Sequence, residues 1–310
     1  MNILITGGTG LLGKALIEMN TGMHKIVSTY LGNYDISLDN AAVIYRKLDV
    51  RDKQGYVQLF KEFRPNVVIH TAGIGNPDYA EKNKQEAWDI NVGGTQNLID
   101  CAEAVDSKFI YISSNGIYGG DSAPYGEETE TRPINYYGQV KLKGEEITRK
   151  SLIPHAIVRP ILMYGWNHPF ERLNIVTLSL RKLREEQIVN AYSDIFVNPL
   201  FVFQCAQAIW KIVFEDKYDT FNIGGKDRLS IFEFLETTAR IFGYDDKLIK
   251  PVSQGFFKEL VKRPIDTSYN TEKMEKILGI KPLSAEEGLK AMKERKMYAR
   301  GVNFSSYTHL

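Results

Sequence analysis

The chain has 310 residues, 25% charged and 43% hydrophobic, enough for two compact domains with a real core and too balanced for a disordered or fibrous protein. Thirty-nine Lys and Arg against thirty-eight Asp and Glu leave a formal charge of +1, with no basic excess to hold a nucleic-acid backbone. The expected partner is a small molecule.

Over the first 160 residues, short apolar β-branched runs alternate with longer amphipathic stretches, the pattern of βα units around a parallel sheet. Strands are predicted over 2–6, 25–29, 44–48, 66–70, 108–113 and 156–159, several of them apolar on both faces as a helix-covered sheet requires. The first strand starts at Asn2, leaving no room for a signal peptide, and no apolar stretch approaches the roughly 20 residues that span a bilayer, so a cytoplasmic protein is expected. Helices are predicted over 11–19, 53–63, 84–104 and 135–150, and right-handed crossovers then give an α/β, doubly wound parallel (Rossmann) sheet. Beyond Gly165 the rhythm changes. Helices near 175–186, 203–214, 231–242 and 271–278, with extended runs at 220–223 and 249–252, suggest a smaller α/β substrate lobe. The expected division is a dinucleotide-binding domain over 1–164 with a returning segment at about 196–216, a substrate lobe over 165–195 and 217–299, and a tail over 300–310. Cys101 and Cys205 fall within helical patterns and read as buried small hydrophobes, and the five histidines never pair at metal-ligand spacing, so no metal is expected.

The run from Met1 to Gly13 joins a buried strand to a helix through Gly7, Gly10 and Gly13. Gly7 permits a sharp turn, Gly10 lets the backbone approach a pyrophosphate, and Gly13 lets helix and sheet pack closely. Thr9, Leu11 and Leu12 complete the loop and helix N-terminus whose N–H groups and dipole suit an anion. The adenosine ribose is expected near 28–33, where no acidic residue stands to repel a 2′-phosphate and no arginine to bind one, which favours NADP(H) slightly over NAD(H). Asp49-Val50 after the third strand flank the adenine, or Asp49 caps a helix.

Tyr137 and Lys141 stand four residues apart on one helical face, twenty-three residues after a strand ending in Ser113-Ser114. The same spacing at Tyr269 and Lys273 lacks that context. A phenol of ordinary pKa about 10 is a poor acid at neutral pH, and a neighbouring cation such as Lys141 would lower it toward use. Ser114 would hydrogen-bond the substrate oxygen, Tyr137 would give or take its proton, and a nicotinamide would carry the hydride. The other reading makes Tyr137 a surface tyrosine and Ser114 a cap.

With these motifs the chain resembles an extended short-chain dehydrogenase/reductase along nearly its whole length. The resemblance is carried by Gly7–Gly13, His70-Thr-Ala-Gly73, Ile90-Asn-Val92, Ile112-Ser-Ser-Asn-Gly-Ile-Tyr-Gly119, Tyr137-Gly-Gln-Val-Lys141 and Arg159-Pro-Ile-Leu-Met-Tyr-Gly165. Within that family it is most similar to the dTDP-4-dehydrorhamnose reductase branch, through Tyr125-Gly-Glu127, Lys141-Leu-Lys-Gly-Glu145, Asn198-Pro-Leu-Phe-Val202 and the run from Arg263 to Met274. The resemblance implies a sugar nucleotide between the lobes, deoxysugar biosynthesis, Asn91 supporting a water or backbone near the lysine, and Ala72, Gly73 and Ile161 beside the cofactor. It also places Ser114, Asn115, Tyr137, Asn198 and Arg263 at the substrate. Two departures stand out: Leu162-Met163 where that branch usually carries a tryptophan, and Phe203-Gln204 where it has an Asp. Asn115-Gly116 occupy the place of the Asp-Glu pair of dehydratases, so no elimination of water is expected.

Arg263 could grip a diphosphate or be a solvated surface residue; Asn198 could orient substrate or satisfy a turn; Trp166 and His168 could touch a sugar or merely pack. The leading expectation is an NAD(P)H-dependent reductase of a 4-keto, 6-deoxy sugar nucleotide. A sugar-nucleotide 4-epimerase and a non-catalytic NAD(P)-binding regulatory subunit, resembling that of methionine adenosyltransferase, remain the alternatives. Neither nucleic acid nor membrane is expected as a partner, and a homodimer is left open.

Overall fold

The structure, a computed structural model, describes residues 1–20, 22, 24–32 and 43–298. The predicted strands form close to their expected ends: β1 (Asn2–Thr6), β2 (Lys25–Tyr30), β3 (Val43–Lys47), β4 (Val67–His70), β5 (Lys108–Ile112) and β6 (His155–Pro160). Between them lie α1 (Leu11–Met19), α2 (Lys53–Phe63), α3 (Pro77–Lys82), α4 (Lys84–Trp88), α5 (Gly94–Glu103) and α6 (Tyr136–Lys150). Alternation along the strands separates two cores. Ile3, Ile5, Ile110 and Ile112 face one side of the sheet with Leu12 and Leu16 of α1, while Leu4, Phe109 and Tyr111 face the other with Leu59, Phe60 and Leu98 of α2 and α5.

The C-terminal half contributes β7 (Met163–Tyr164), α7 (Ile175–Arg184), β8 (Val189–Tyr192), β9 (Phe196–Val197), β10 (Leu200–Phe201), α8 (Val202–Phe214), β11 (Thr220–Ile223) and β12 (Leu229–Ser230). It ends with α9 (Ile231–Phe242), β13 (Ile249–Val252), α10 (Glu272–Leu278) and α11 (Ala285–Tyr298). The main sheet has seven parallel strands in the order β11-β6-β5-β4-β1-β2-β3. Thr220–Ile223, expected in the second lobe, is therefore the edge strand of the first, registered on Ile157–Pro160 of β6. Helix α10 follows it by packing on β11 and α8, and Trp210 of α8 donates to the Leu16 carbonyl of α1 at 3.3 Å. Outside that sheet, α9 covers the parallel pair β8–β13, within the region expected to form the smaller lobe.

Strand order reverses between β1 and β4, so the crevice at their carboxyl ends is where an open α/β sheet receives its ligand. The helix predicted over 84–104 is interrupted there. A π-helical turn, Asp89–Gly93, separates α4 from α5 and re-aims Asn91. Helix α6 is fixed to β6 by a buried fork in which Arg159 donates from Nε and Nη2 to Glu145 at 2.8 and 2.7 Å. The same guanidinium donates to the Tyr118 hydroxyl and the Glu127 carbonyl, at 2.8 and 2.9 Å, so its charge and hydrogen bonds are both satisfied. Among the described residues no helix is long and apolar enough to cross a membrane, and no group of His, Cys, Asp and Glu could hold a metal ion. Both cysteines are buried and free. The tail over 300–310 and the later part of the ribose-reading window, from Asn33, lie outside the described residues.

Candidate active site

The glycine loop follows from β1 directly. Gly7 turns with a φ of +68°, and a Cβ there would stand 2.8 Å from the backbone of Ala72. A Cβ on Gly13 would meet the Gly7 carbonyl at 2.4 Å, so α1 sits on the loop itself, whereas one on Gly10 would meet only that carbonyl, at 3.2 Å. Gly10 is the N-cap of α1 and offers no side chain to it, leaving the first helical N–H groups open toward the crevice.

A cleft of about 770 Å3 opens from this loop to the smaller lobe. Gly7, Gly10, Leu11, Leu12, Gly73, Ser114, Asn115, Tyr137, Lys141, Ile161 and Arg263, all expected at a ligand, line it. Ser114 ends the segment after β5 and accepts from the Gly116 N–H at 3.1 Å. The bare Gly116 lets the Tyr137 ring lie over that turn, which brings the phenol close enough to the Ser114 hydroxyl for it to favour the phenolate. Asn135 caps α6 by accepting from the Gly138 N–H at 3.0 Å, placing Tyr137 on its first turn.

Sequence reasoning has Lys141 acidifying this phenol, and the structure differs. Desolvation pushes Tyr137 above its ordinary value, while Ser114 and the charge of Arg172 pull it back. The Lys141 ammonium is turned to the Ile112 carbonyl at 2.7 Å, and burial lowers it to about 8 against the opposing field of Glu145. Asn91 stands behind the cleft wall. Its Oδ1 accepts from the Ile74 N–H at 2.7 Å and its Nδ2 donates to the Ile74 carbonyl at 3.1 Å, fixing the segment after Gly73.

Several expected residues serve the frame instead of the cleft. Asn198 is buried, accepting from the Tyr269 N–H at 2.6 Å. Asp49 is held by Arg51 through three side-chain contacts of 2.6–3.1 Å that keep its carboxyl below the usual range, and the cap of α2 is Asp52. Val50 is buried under Gly94, Ala72 donates to Thr6 Oγ1 at 3.3 Å, and Thr9 donates to Glu171 at 2.8 Å. Trp166 donates to the Met292 carbonyl at 2.7 Å, and His168 stacks on Phe170. Arg263 reaches the cleft but is paired with Asp78 of α3, not free. Tyr269 precedes α10, so it shares no helical face with Lys273, whose ammonium pairs with Asp219. Sequence reasoning missed Arg172 and the apolar wall of Met163, Ile195 and Ile231, contributed by segments far apart in the chain.

The model of the RmlD substrate binding domain matches residues 1–297. The chain belongs to this family. Among curated proteins it is 26% identical over 300 residues to dTDP-4-dehydrorhamnose reductase of Aggregatibacter actinomycetemcomitans, covering 93% of this chain and 97% of that protein. It is also 26% identical over 261 residues to methionine adenosyltransferase 2 subunit beta of Rattus norvegicus, covering 81% and 75%. The crystal structure of dTDP-4-dehydrorhamnose reductase from Bacillus anthracis in complex with NADP superposes with a TM-score of 0.83 at 27% identity, covering 95% of this chain and 99% of that one. The RmlD-type chain is an NAD(P)-dependent oxidoreductase of the extended short-chain dehydrogenase/reductase type. Its residues fit a dinucleotide: the uncapped N-terminus of α1 suits the pyrophosphate, and the glycine backbone at Gly10 leaves the close approach open.

Proposed function

We propose that the protein reduces the 4-keto group of a 6-deoxy sugar nucleotide, with NADP(H) preferred over NAD(H). The observation that carries this is the meeting of Ser114 and Tyr137 at the foot of a cleft that begins at the glycine loop and ends among apolar side chains of the second lobe. When bound, the nicotinamide supplies the hydride. Ser114, whose oxygen accepts from Gly116 and whose hydroxyl donates to Asn115 Oδ1 at 3.3 Å, turns that proton to the substrate oxygen. Tyr137, kept protonated by desolvation, gives its phenolic proton to that oxygen as the carbonyl carbon is reduced. Lys141, anchored to β5, holds positive charge beneath the site up to about pH 8. The apolar wall of Met163, Ile195 and Ile231 excludes water and suits a methyl group where an ordinary hexose carries a hydroxyl.

The reading is tested by offering a panel of sugar nucleotides, including 4-keto-6-deoxy forms, and following NADPH and NADH absorbance. Consumption of NADPH with a 4-keto-6-deoxy sugar nucleotide, and none with its 4-hydroxy counterpart, is expected. The similarity to a methionine adenosyltransferase subunit favours a second reading, a nucleotide-binding regulatory subunit. Dinucleotide binding without turnover of any member of the panel would select it.

A further inference from the structure

Most polar side chains of the cleft are already committed to the fold. Asn76, Asn135 and Asn174 cap α3, α6 and α7. Asn115 donates to Thr267 at 2.7 Å, and Lys141 to the Ile112 carbonyl. Arg263 is neutralised by Asp78 and spends a further N–H on the Val261 carbonyl at 3.0 Å. Among the three cations that line the cleft, Lys141, Arg172 and Arg263, Arg172 is the exception. It lies on the segment between β7 and α7, is exposed, lines the cleft, and makes no hydrogen bond or ion pair among the described residues. Its neighbour Glu171 is fastened to the glycine loop through Thr9 at 2.8 Å.

This places one guanidinium without an ion-pair partner in the cleft that holds Ser114 and Tyr137, near enough for its charge to act on the phenol. A phosphate offers such a group two parallel charge-assisted bonds, and an exposed arginine gives up little to form them. Arg263 would first have to leave a carboxylate. The cofactor's own phosphates have the uncapped N-terminus of α1. We infer that Arg172 is the specificity residue that grips the diphosphate of the substrate while its carbonyl lies on Ser114 and Tyr137. This inference builds on the sugar-nucleotide reading above.

The test is calorimetric titration of the full chain, saturated with NADPH, with thymidine diphosphate, uridine diphosphate and inorganic pyrophosphate. Arg172→Gln should weaken the nucleoside diphosphate that the native protein binds by about ten- to a hundredfold, with NADPH affinity unchanged, and Arg172→Lys should recover part of the loss. Equal affinity in native protein and Arg172→Gln would remove the anchor and leave the sugar-nucleotide reading standing. If the native protein takes up neither nucleoside diphosphate but loses pyrophosphate affinity in Arg172→Gln, the anion site stands and the sugar-nucleotide reading falls. A parallel drop in NADPH affinity would assign the arginine to the cofactor and overturn the inference.

Discussion

The Tyr137 ring lies 3.2 Å from where a Cβ on Gly116 would stand, so the phenol owes its position to a missing side chain as much as to its own helix. Its oxygen is a proton donor placed beside Ser114, and desolvation raises its affinity for its proton. Tyr137→Phe deletes that oxygen and leaves the ring to pack. Turnover should fall roughly 10²–10⁴-fold, the usual worth of a general acid, while NADPH titration gives an unchanged affinity. Native turnover in Tyr137→Phe would exclude the phenol from the chemistry. At this scale the sequence was legible where a motif is local: Tyr137 and Lys141 share a helix, and Gly7, Gly10 and Gly13 share one strand-turn-helix. Arg172 and the Asp78–Arg263 pair were not, because their meaning depends on which distant segment arrives beside them. No spacing rule reaches from residue 78 to residue 263.

Among elements, α1 and α6 each depend on a glycine at or near their start, for different reasons. A Cβ at position 138 would stand 2.1 Å from the Gly116 carbonyl and 2.8 Å from Pro133, both parts of the chain that cannot turn aside, so Gly138→Ala must displace the start of α6 and Tyr137 with it. At position 10 the only neighbour among the described residues is the Gly7 carbonyl at 3.2 Å, and the residue lines the cleft. Gly138→Ala should therefore cost about 1–3 kcal/mol of stability together with turnover. Gly10→Ala should leave thermal unfolding within a few degrees of native and weaken NADPH binding by about tenfold or more. Unfolding and titration measured on both variants decide the matter, and the opposite ordering would show that the two glycines had been assigned the wrong way round. The elements themselves were readable from apolar period and length. The π-turn at Asp89–Gly93 was not, since one inserted residue leaves an amphipathic pattern over 84–104 intact. Nor was the sheet to which Thr220–Ile223 belongs, for a four-residue apolar strand carries no mark of its partner.

The whole molecule is tied at its centre by a buried relay that joins the glycine-loop strand to the π-turn. Thr95 donates to the Asn91 carbonyl at 2.6 Å, so its oxygen accepts from His70 Nε2 at 3.1 Å, and His70 Nδ1 in turn meets the Thr6 hydroxyl at 2.7 Å. This pattern uses the neutral ring with its proton on Nε2. Burial, reinforced by the field of Lys141, lowers His70 to about 3. In the unfolded chain the same ring takes a proton near its ordinary 6.5, so between about pH 6.5 and 3 the unfolded state binds more protons than the folded one. The stability associated with a neutral His70 is thus fully present above about pH 6.5 and is lost as pH falls below it, by up to about 1.4 kcal/mol per pH unit. His70→Gln cannot be protonated and retains one of the two hydrogen bonds. It should be less stable than native at pH 7.5, yet its thermal midpoint should fall more slowly between pH 7 and pH 5, because the carboxylates and the other histidines titrate alike in both proteins. His70→Asn provides the same comparison should the glutamine fail to fit. Identical pH slopes for native protein and variant would mean that the ring takes up its proton alike in the folded and unfolded states, and that the relay from Thr6 to Asn91 does not hold the histidine neutral.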